Sequence, residues 1–584
     1  FRIVAPFTGG RFDPSPYPPR TMRNGAPNVW PAFDGIDGEF HLHNNKLRFD
    51  LARGHYRNFV LHNVTGRIDD TGTPKTDLVI AGTGQGPLAD LIDYANRSSL
   101  GYMSRHVGEK LSAQGPASLA LKLSIPRHPH PLIRVEGALG FQNNRLTYEN
   151  APPLTNVSGR VSFTSHSVSA DRLTAHVLGG DVRASGALRP DGRYAFDLNG
   201  DIAADAARNL GLHGPAAALL DRVKGHAPYA LNVRGARGAL PEVDASSDLS
   251  GLALDLPAPF GKQAGEPMPF DFSLRPNAEA GAGVQQAALT LGPFAANYLL
   301  QPKPGQQMPE VLRGAIGLNR PADLPTDGVT AAVDLPAFDA DAWRHVVQQL
   351  RPARALPNAG TEANSVAPAT TALSPWLPSR AALHVGTLTL LKRHWENVVV
   401  GASRNGNDWQ ANVASNQVSG HLSWQPGAVP GTPGTLEARL ARLVVPAADE
   451  NDLLGQAISQ PVQNMPAVDL VVNQLIVHDH DLGRLQVNAH NLEEDGVPVW
   501  RLDMLELSNP AARLTATASW RAVDESGSEP DGAVHDQPTP RHTAVNFRLD
   551  VKDAGALLQR AGIEHMLKGG EGVLYGDADW RGGP

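Results

Sequence analysis

The chain has 584 residues, 41% of them hydrophobic and 19% charged, with 51 basic against 59 acidic side chains and a formal net charge of -8. That length exceeds one compact core, and the composition is that of a folded chain of two to four domains or one elongated architecture. An acidic balance with no Lys/Arg run and no basic–aromatic interleaving argues against nucleic acid as a partner, and the absence of cysteine excludes disulfides, thiolate metal sites and cysteine nucleophiles.

Gly (58) and Pro (48) are both abundant, so turns break the chain often, and aromatics are only 6%, so apolar faces must be built from Ala, Val, Leu and Ile. The chain opens without Met in strand-like sequence, Phe1-Arg2-Ile3-Val4, and stops just after another such stretch. No signal peptide opens it, and no window reaches the 18 or so apolar residues of a membrane span. We read it as part of a longer protein, with any anchor or signal outside this stretch.

Residues 1–125 form a β-rich segment with one helix. Gly38-Glu39-Phe40-His41-Leu42 is a glycine followed by alternating apolar residues, and Leu88, Leu91, Ile92 and Ala95 have helical spacing within 87–110. Residues 126–351 form a central β segment. The same glycine-led unit returns at Gly137–Phe141 and Gly159–Phe163. Tyr194, Phe196 and Leu198 alternate with Ala195, Asp197 and Asn199, and Leu252, Leu254 and Leu256 with Ala253 and Asp255. Short helices are expected within 203–223 and 339–350. Asn143-Asn144, Gly179-Gly180 and Pro190-Asp191-Gly192 read as turns.

Residues 352–379, rich in Ala, Pro, Thr, Asn and Ser, read as a flexible linker. Residues 380–584 form a second β segment, with loops at 425–435 and 523–543 and a helix at 553–567. Asn405-Gly406-Asn407 is a hairpin turn. Leu485 and Val487 alternate with Gln486 and Asn488, Leu514 with Arg513 and Thr515, and Phe547 and Leu549 with Arg548 and Asp550. A tryptophan-bracketed unit recurs: Trp409 leads through Val418-Ser419-Gly420 to Trp424, and Trp500 leads through Asn509-Pro510 to Trp520. One apolar and one polar face per strand point to antiparallel sheet, and the helices read as caps or plugs.

Few residues carry chemistry. His478-Asp479-His480-Asp481 could ligate zinc but lacks a third ligand at useful spacing. His41/His43 and His128/His130 read as polar strand and turn positions. Gly82-Thr83-Gly84-Gln85-Gly86 follows a strand and precedes a helix, yet Pro87 and the antiparallel pattern argue against a dinucleotide turn. No Gly-x-Ser-x-Gly elbow is present. A carbohydrate-active enzyme would need paired carboxylates among stacked aromatics, and the low aromatic content argues against it. Periodicity alone leaves two readings of the apolar faces, closed sandwich cores or an exposed working surface.

One pair of stretches is more specific. Residues 157–186 contain Val157-Ser158-Gly159-Arg160-Val161-Ser162-Phe163 and Leu178-Gly179-Gly180-Asp181-Val182, and Ser247-Asp248-Leu249-Ser250-Gly251-Leu252 runs through Leu256-Pro257 to Gly261-Lys262. These resemble the YhdP family of the AsmA-like (TamB-related) superfamily of Gram-negative envelopes. The resemblance implies a mainly β fold, a long antiparallel sheet curled into an open, taco-like groove with a few short helices. It implies a periplasmic body anchored in the inner membrane through a helix outside this stretch, able to contact the outer membrane, and carrying phospholipids without catalysis, cofactor or metal. On this reading the groove is lined by Leu173, Ala175, Val177, Tyr194, Phe196, Leu198, Leu252, Leu254, Leu256, Leu485, Val487, Leu514, Phe547 and Leu549. The alternative is an envelope scaffold with closed β cores.

Overall fold

The computed structural model describes residues 1–14, 30–73, 75–98, 110–127, 133–149, 151–208, 215–306, 308–350, 374–427, 432–445, 465–477, 479–494, 497–522, 541–560, 562–563 and 567–581. Strands make up 67% and helices 8% of the described structure. The chain divides into two compact units: 1–256 with 261–292 and 350–353, and 257–260 with 293–349 and 354–584.

The first unit holds β1 (Arg2–Phe12), β2 (Phe33–His43), β3 (Lys46–Tyr56), β4 (Phe59–Ile68), β5 (Leu78–Pro87), β6 (Leu111–Gln114), β7 (Pro116–Ile125), β8 (Arg134–Tyr148), β9 (Leu154–Thr164), β10 (Val168–Val177), β11 (Gly180–Leu188), β12 (Arg193–Ala203), β13 (Val223–Ala236), β14 (Glu242–Ser247), β15 (Leu252–Leu254), β16 (Phe270–Pro276) and β17 (Gln285–Leu291). Its sheet is an antiparallel meander in near-sequential order, with β5 beside β7 and β14 beside β16. The short strands β6 and β15 lie along the ends of β8 and β13.

The second unit holds β18 (Phe294–Gln301), β19 (Glu310–Leu318), β20 (Gly328–Asp339), β21 (Arg380–Leu390), β22 (Arg393–Asn405), β23 (Asp408–Ala414), β24 (Val418–Gln425), β25 (Thr435–Val445), β26 (Ala467–Val477), β27 (His480–Glu494), β28 (Val497–Ser508), β29 (Ala512–Ala522), β30 (Arg541–Val551) and β31 (Gly572–Arg581). Every strand pairs with its sequence neighbour. Three joints are parallel: β19–β20, β20–β21 and β25–β26. The sheet is open; among the described residues β31 pairs only with β30.

Alternation makes these strands, and the turn residues set their register. Leu178 (φ 51°) and Gly179 (φ 76°) form the two-residue turn between β10 and β11, the left-handed pair a type I′ hairpin requires. A Cβ on the next residue, Gly180, would collide with the Asp201 carbonyl, which explains the paired glycine in the Leu178-Gly179-Gly180 stretch. Asn405-Gly406-Asn407 likewise turns β22 into β23. Asn143-Asn144, expected to be a turn, is instead a bulge inside continuous β8, where Asn143 has φ 55° and the register with β9 slips between Phe141 and Asn144. Asn144 is fully buried there: its Oδ1 accepts the Gln142 N–H at 2.7 Å and its Nδ2 donates to the Gln114 carbonyl at 3.1 Å. The glycines at 82–86 are not a loop but part of β5; a Cβ on Gly84 would strike the Phe59 ring.

The helices are short. They span Leu88–Arg97, Ala204–Ala207, Pro215–Leu220, Ala340–Leu350 and Ala554–Arg560, each inside a span expected to be helical. Residues 99–109, most of the 352–379 linker and most of the 523–543 loop lie outside the described residues, as do His128, His130 and His478.

Candidate functional site

Cross-strand register sorts the apolar residues into rows at right angles to the strands. In the second unit, directly opposed residues give Phe294, Leu318, Val333, Leu383, Val400, Val413, Gly420, Leu440, Val472, Leu485, Leu507, Leu514, Leu549 and Leu574, one from each of fourteen strands. Two residues along, a second row runs Ala296, Ile316, Ala331, Ala381, Ala402, Ala411, Leu422, Ala438, Leu470, Val487, Leu505, Ala516, Phe547 and Gly576. Neither row contains a polar side chain. With strands about 4.8 Å apart, each row runs for about 60 Å along the sheet.

The first unit repeats the arrangement. One row runs Gly54, Leu61, Gly84, Leu119, Leu139, Val161, Ala170, Gly186, Phe196, Val233, Val243, Leu274 and Ala287. Beside it runs Leu173, Ala184, Leu198, Leu231, Ala245, Phe272 and Leu289.

Burial separates these rows from an ordinary core. In the first row of the second unit only Leu440 (6% exposed) and Val472 (0%) are buried, Leu574 is 57% exposed, and the rest are half-buried. A sandwich would cover these positions with a second layer of side chains; here most retain partial contact with solvent.

What does touch the apolar face is local. The helix Leu88–Arg97 presses Leu88, Leu91 and Ile92 onto Ala117, Leu139 and Phe141. It is pinned by polar contacts: Asp90 accepts the Asn58 N–H at 3.0 Å, and Asp93 accepts the Tyr56 hydroxyl at 2.6 Å and the Arg97 guanidinium at 3.1 Å. Burial pushes the Asp93 carboxyl up, but those donors and Arg57 outweigh it and hold it below the ordinary carboxylate range. Burial also pushes the neighbouring Tyr94 phenol well above its ordinary value. In the second unit Trp376 packs at a tilt against Tyr298, with ring centroids 5.1 Å apart. The connection from β19 to β20 runs over the other face, where the Asn297 amide donates to the Ala322 carbonyl and Arg313 to that of Pro325.

The opposite face is charged. Arg48 with Asp50, Arg439 with Asp469 and Arg548 with Asp550 are paired there, and the Arg548 hydrogen bond holds the Asp550 carboxyl low. His41 sits on this side, 3.2 Å from Glu39. Among the described residues no group of three or more His, Cys, Asp or Glu could hold a metal ion.

The expected lining residues fall as follows. Phe196, Leu485, Val487, Leu514, Phe547 and Leu549 lie in the long rows, and Leu173 and Leu198 in the shorter one. Ala175 faces Val182, Val177 faces Gly180, and Tyr194 faces Leu188, all opposed pairs of β10–β12. Leu252 is buried at 8% against Ala204 and Ala227, Leu254 pairs with Val223, and Leu256 follows the end of β15. Sequence reasoning missed Phe294 to Val413 and the small members Gly84, Gly186 and Gly420. Only register reveals these, because a lone glycine in a sequence reads as a turn.

The array offers apolar contact without acid, base or nucleophile. Burying one methylene against it stabilises by about 0.8 kcal/mol, so its chemistry is that of holding hydrocarbon.

A family model described as "YhdP protein" matches residues 11–584. The "Intermembrane phospholipid transporter YhdP" of Escherichia coli (strain K12) is 22% identical over 405 residues, covering 68% of this chain and 30% of that protein. The chain thus matches about 30% of that relative's length. No solved structure matches. By this match, which takes in both glycine-marked stretches, the chain belongs to the YhdP family.

Proposed function

We propose that this chain is a stretch of a non-enzymatic lipid conduit of the Gram-negative envelope. Phospholipid acyl chains lie against the apolar rows while the charged face stays in water. The body sits in the periplasm, tied to the inner membrane by an anchor outside this stretch and reaching toward the outer membrane. The observation that carries this reading is the half-burial of rows that contain no polar side chain across fourteen successive strands. The name of the Escherichia coli relative supports it. A row without polar interruptions offers similar contacts at each step, so a bound chain meets no deep trap along it. No cofactor and no nucleic acid takes part.

Among the described residues no helix is long and apolar enough to cross a membrane. The test is the lipid content of the purified chain. Native mass spectrometry and lipid extraction should recover phospholipid with it. Protein that carries no lipid after expression, and takes none from vesicles, would overturn the reading.

A further inference from the structure

The apolar face of the second unit is not uniform from one end of the strands to the other. Beyond the second row, a third row passes through Trp409, Trp424, Leu436, Val468 and Ala489. A fourth passes through Asn491, Trp500, Trp520, Thr543 and Trp580. The tryptophan-bracketed units of the sequence thus become two directly opposed pairs, Trp409–Trp424 and Trp500–Trp520, on one long edge of one face. The rings of Trp500 and Trp520 meet edge-on at 5.1 Å.

Indole is an amphipathic group that favours the boundary between hydrocarbon and polar surroundings. Trp500 donates its Nε1–H to the Pro466 carbonyl at 2.8 Å. Trp395, near the other end of β22, donates to that of Leu390 at 3.3 Å. The Nε1 of Trp520 is buried and has no partner. Farther along the same edge the Arg404 guanidinium lies 5.9 Å from the Trp409 ring centroid, a fixed positive charge beside the aromatic row.

The depth of the face fits one acyl chain. From Asn491 in the fourth row to Leu485 in the first is six residues of β27, or about 20 Å of strand. Half the hydrocarbon thickness of a bilayer is about 15 Å.

We propose that this tryptophan edge holds the ester and phosphate level of a bound diacyl phospholipid. Its acyl chains point away from the edge, along the strands and across the rows. The inference rests on the conduit reading and adds a polarity to it: lipids stand side by side along the sheet with their heads on one margin.

The test loads the 584-residue chain with phosphatidylcholine carrying a nitroxide either on the headgroup or near the end of one acyl chain. Excess vesicles are removed, retained lipid is counted by mass spectrometry, and tryptophan emission is read. The headgroup label should quench more strongly than the chain-end label. That difference should shrink in W500F/W520F, where Trp409, Trp424 and Trp580 still report from the edge, and be kept in full in W395F. Retained lipid with equal or stronger quenching by the chain-end label overturns the polarity and leaves the conduit standing. So does quenching seen only while vesicles are present, which would make the edge a membrane-contact surface. No retained lipid in any preparation overturns both.

Discussion

The stretch from Ser247 to Lys262 is held in shape by a few single residues. Ser247 Oγ donates to the Pro228 carbonyl at 2.6 Å and accepts the Leu249 N–H at 2.9 Å. Leu249 and Gly251 both take left-handed backbone, φ 51° and 94°, and a Cβ on Gly251 would collide with the His226 carbonyl. The turn closes on Lys262, 6% exposed, whose Nζ donates to the carbonyls of Leu249 at 2.9 Å, Gln263 at 3.3 Å and Leu252. K262M keeps the bulk and strands those acceptors. It should lower stability by about 1–3 kcal/mol in urea unfolding while leaving co-purifying lipid unchanged, as expected for a structural lysine. A second residue sets a pH dependence. Asp341, in the first turn of helix Ala340–Leu350, accepts the N–H groups of Leu391 at 3.1 Å and Lys392 at 2.7 Å and pairs with Arg344. Burial raises its carboxyl, but these donors prevail and hold it below the ordinary carboxylate range. A depressed carboxylate contributes stability that is full above the unfolded value and is lost as pH falls through the folded one. D341N should therefore be less stable than the parent at neutral pH, and the gap should close below about pH 4 when urea midpoints are compared.

Two neighbouring positions on the same face separate what a strand needs to fold from what it presents. Val472 is fully buried beneath Leu440, Leu475 and their surroundings, so Val472→Asp leaves an unpaired charge in a dry site. It should unfold the unit, seen as loss of far-ultraviolet dichroism. Val487 lies half-buried in the next row. Val487→Glu can turn its carboxylate to water, should keep the dichroism, and should lose lipid recovery. The strands themselves were legible in the sequence because a period of two is a local property, and the Leu178-Gly179 and Gly406 turns announced themselves by residue type. The rows were not legible, because register accumulates through every turn and bulge. Asn143-Asn144 has the composition of a turn and serves as a bulge, so reading it as a turn would shift every later strand. Leu252, Leu254 and Leu256 alternate like a long strand, yet β15 ends at Leu254. Pro257 and Pro259 follow at once and cannot donate to a ladder. The tryptophans were visible as a repeat, but nothing local to Trp500 says that Trp520 lies opposite it.

At the scale of the whole chain, each strand rests almost entirely on its two neighbours. Stability built from nearest-neighbour contacts is distributed rather than concentrated, and such chains depart from all-or-none unfolding. The tryptophans report unevenly: of the nine, only Trp30 belongs to the first unit and the other eight to the second. Urea unfolding followed by tryptophan emission and by far-ultraviolet dichroism should give midpoints that do not coincide. Superimposable curves would show a single cooperative block instead.

The parallel joints at β19–β20, β20–β21 and β25–β26 carry an evolutionary consequence. In a pure meander a duplication must add strands in pairs, because an odd number reverses the direction of everything downstream. A parallel joint absorbs that reversal, as the β19–β20 connection does by doubling back over the charged face. A lineage with such joints can lengthen or shorten its lining by single strands, each worth about 4.8 Å, without rewriting the hydrophobic pattern on either side. Relatives of different reach should then differ by whole strands gained or lost at these joints, with the apolar rows passing through the altered stretch in register.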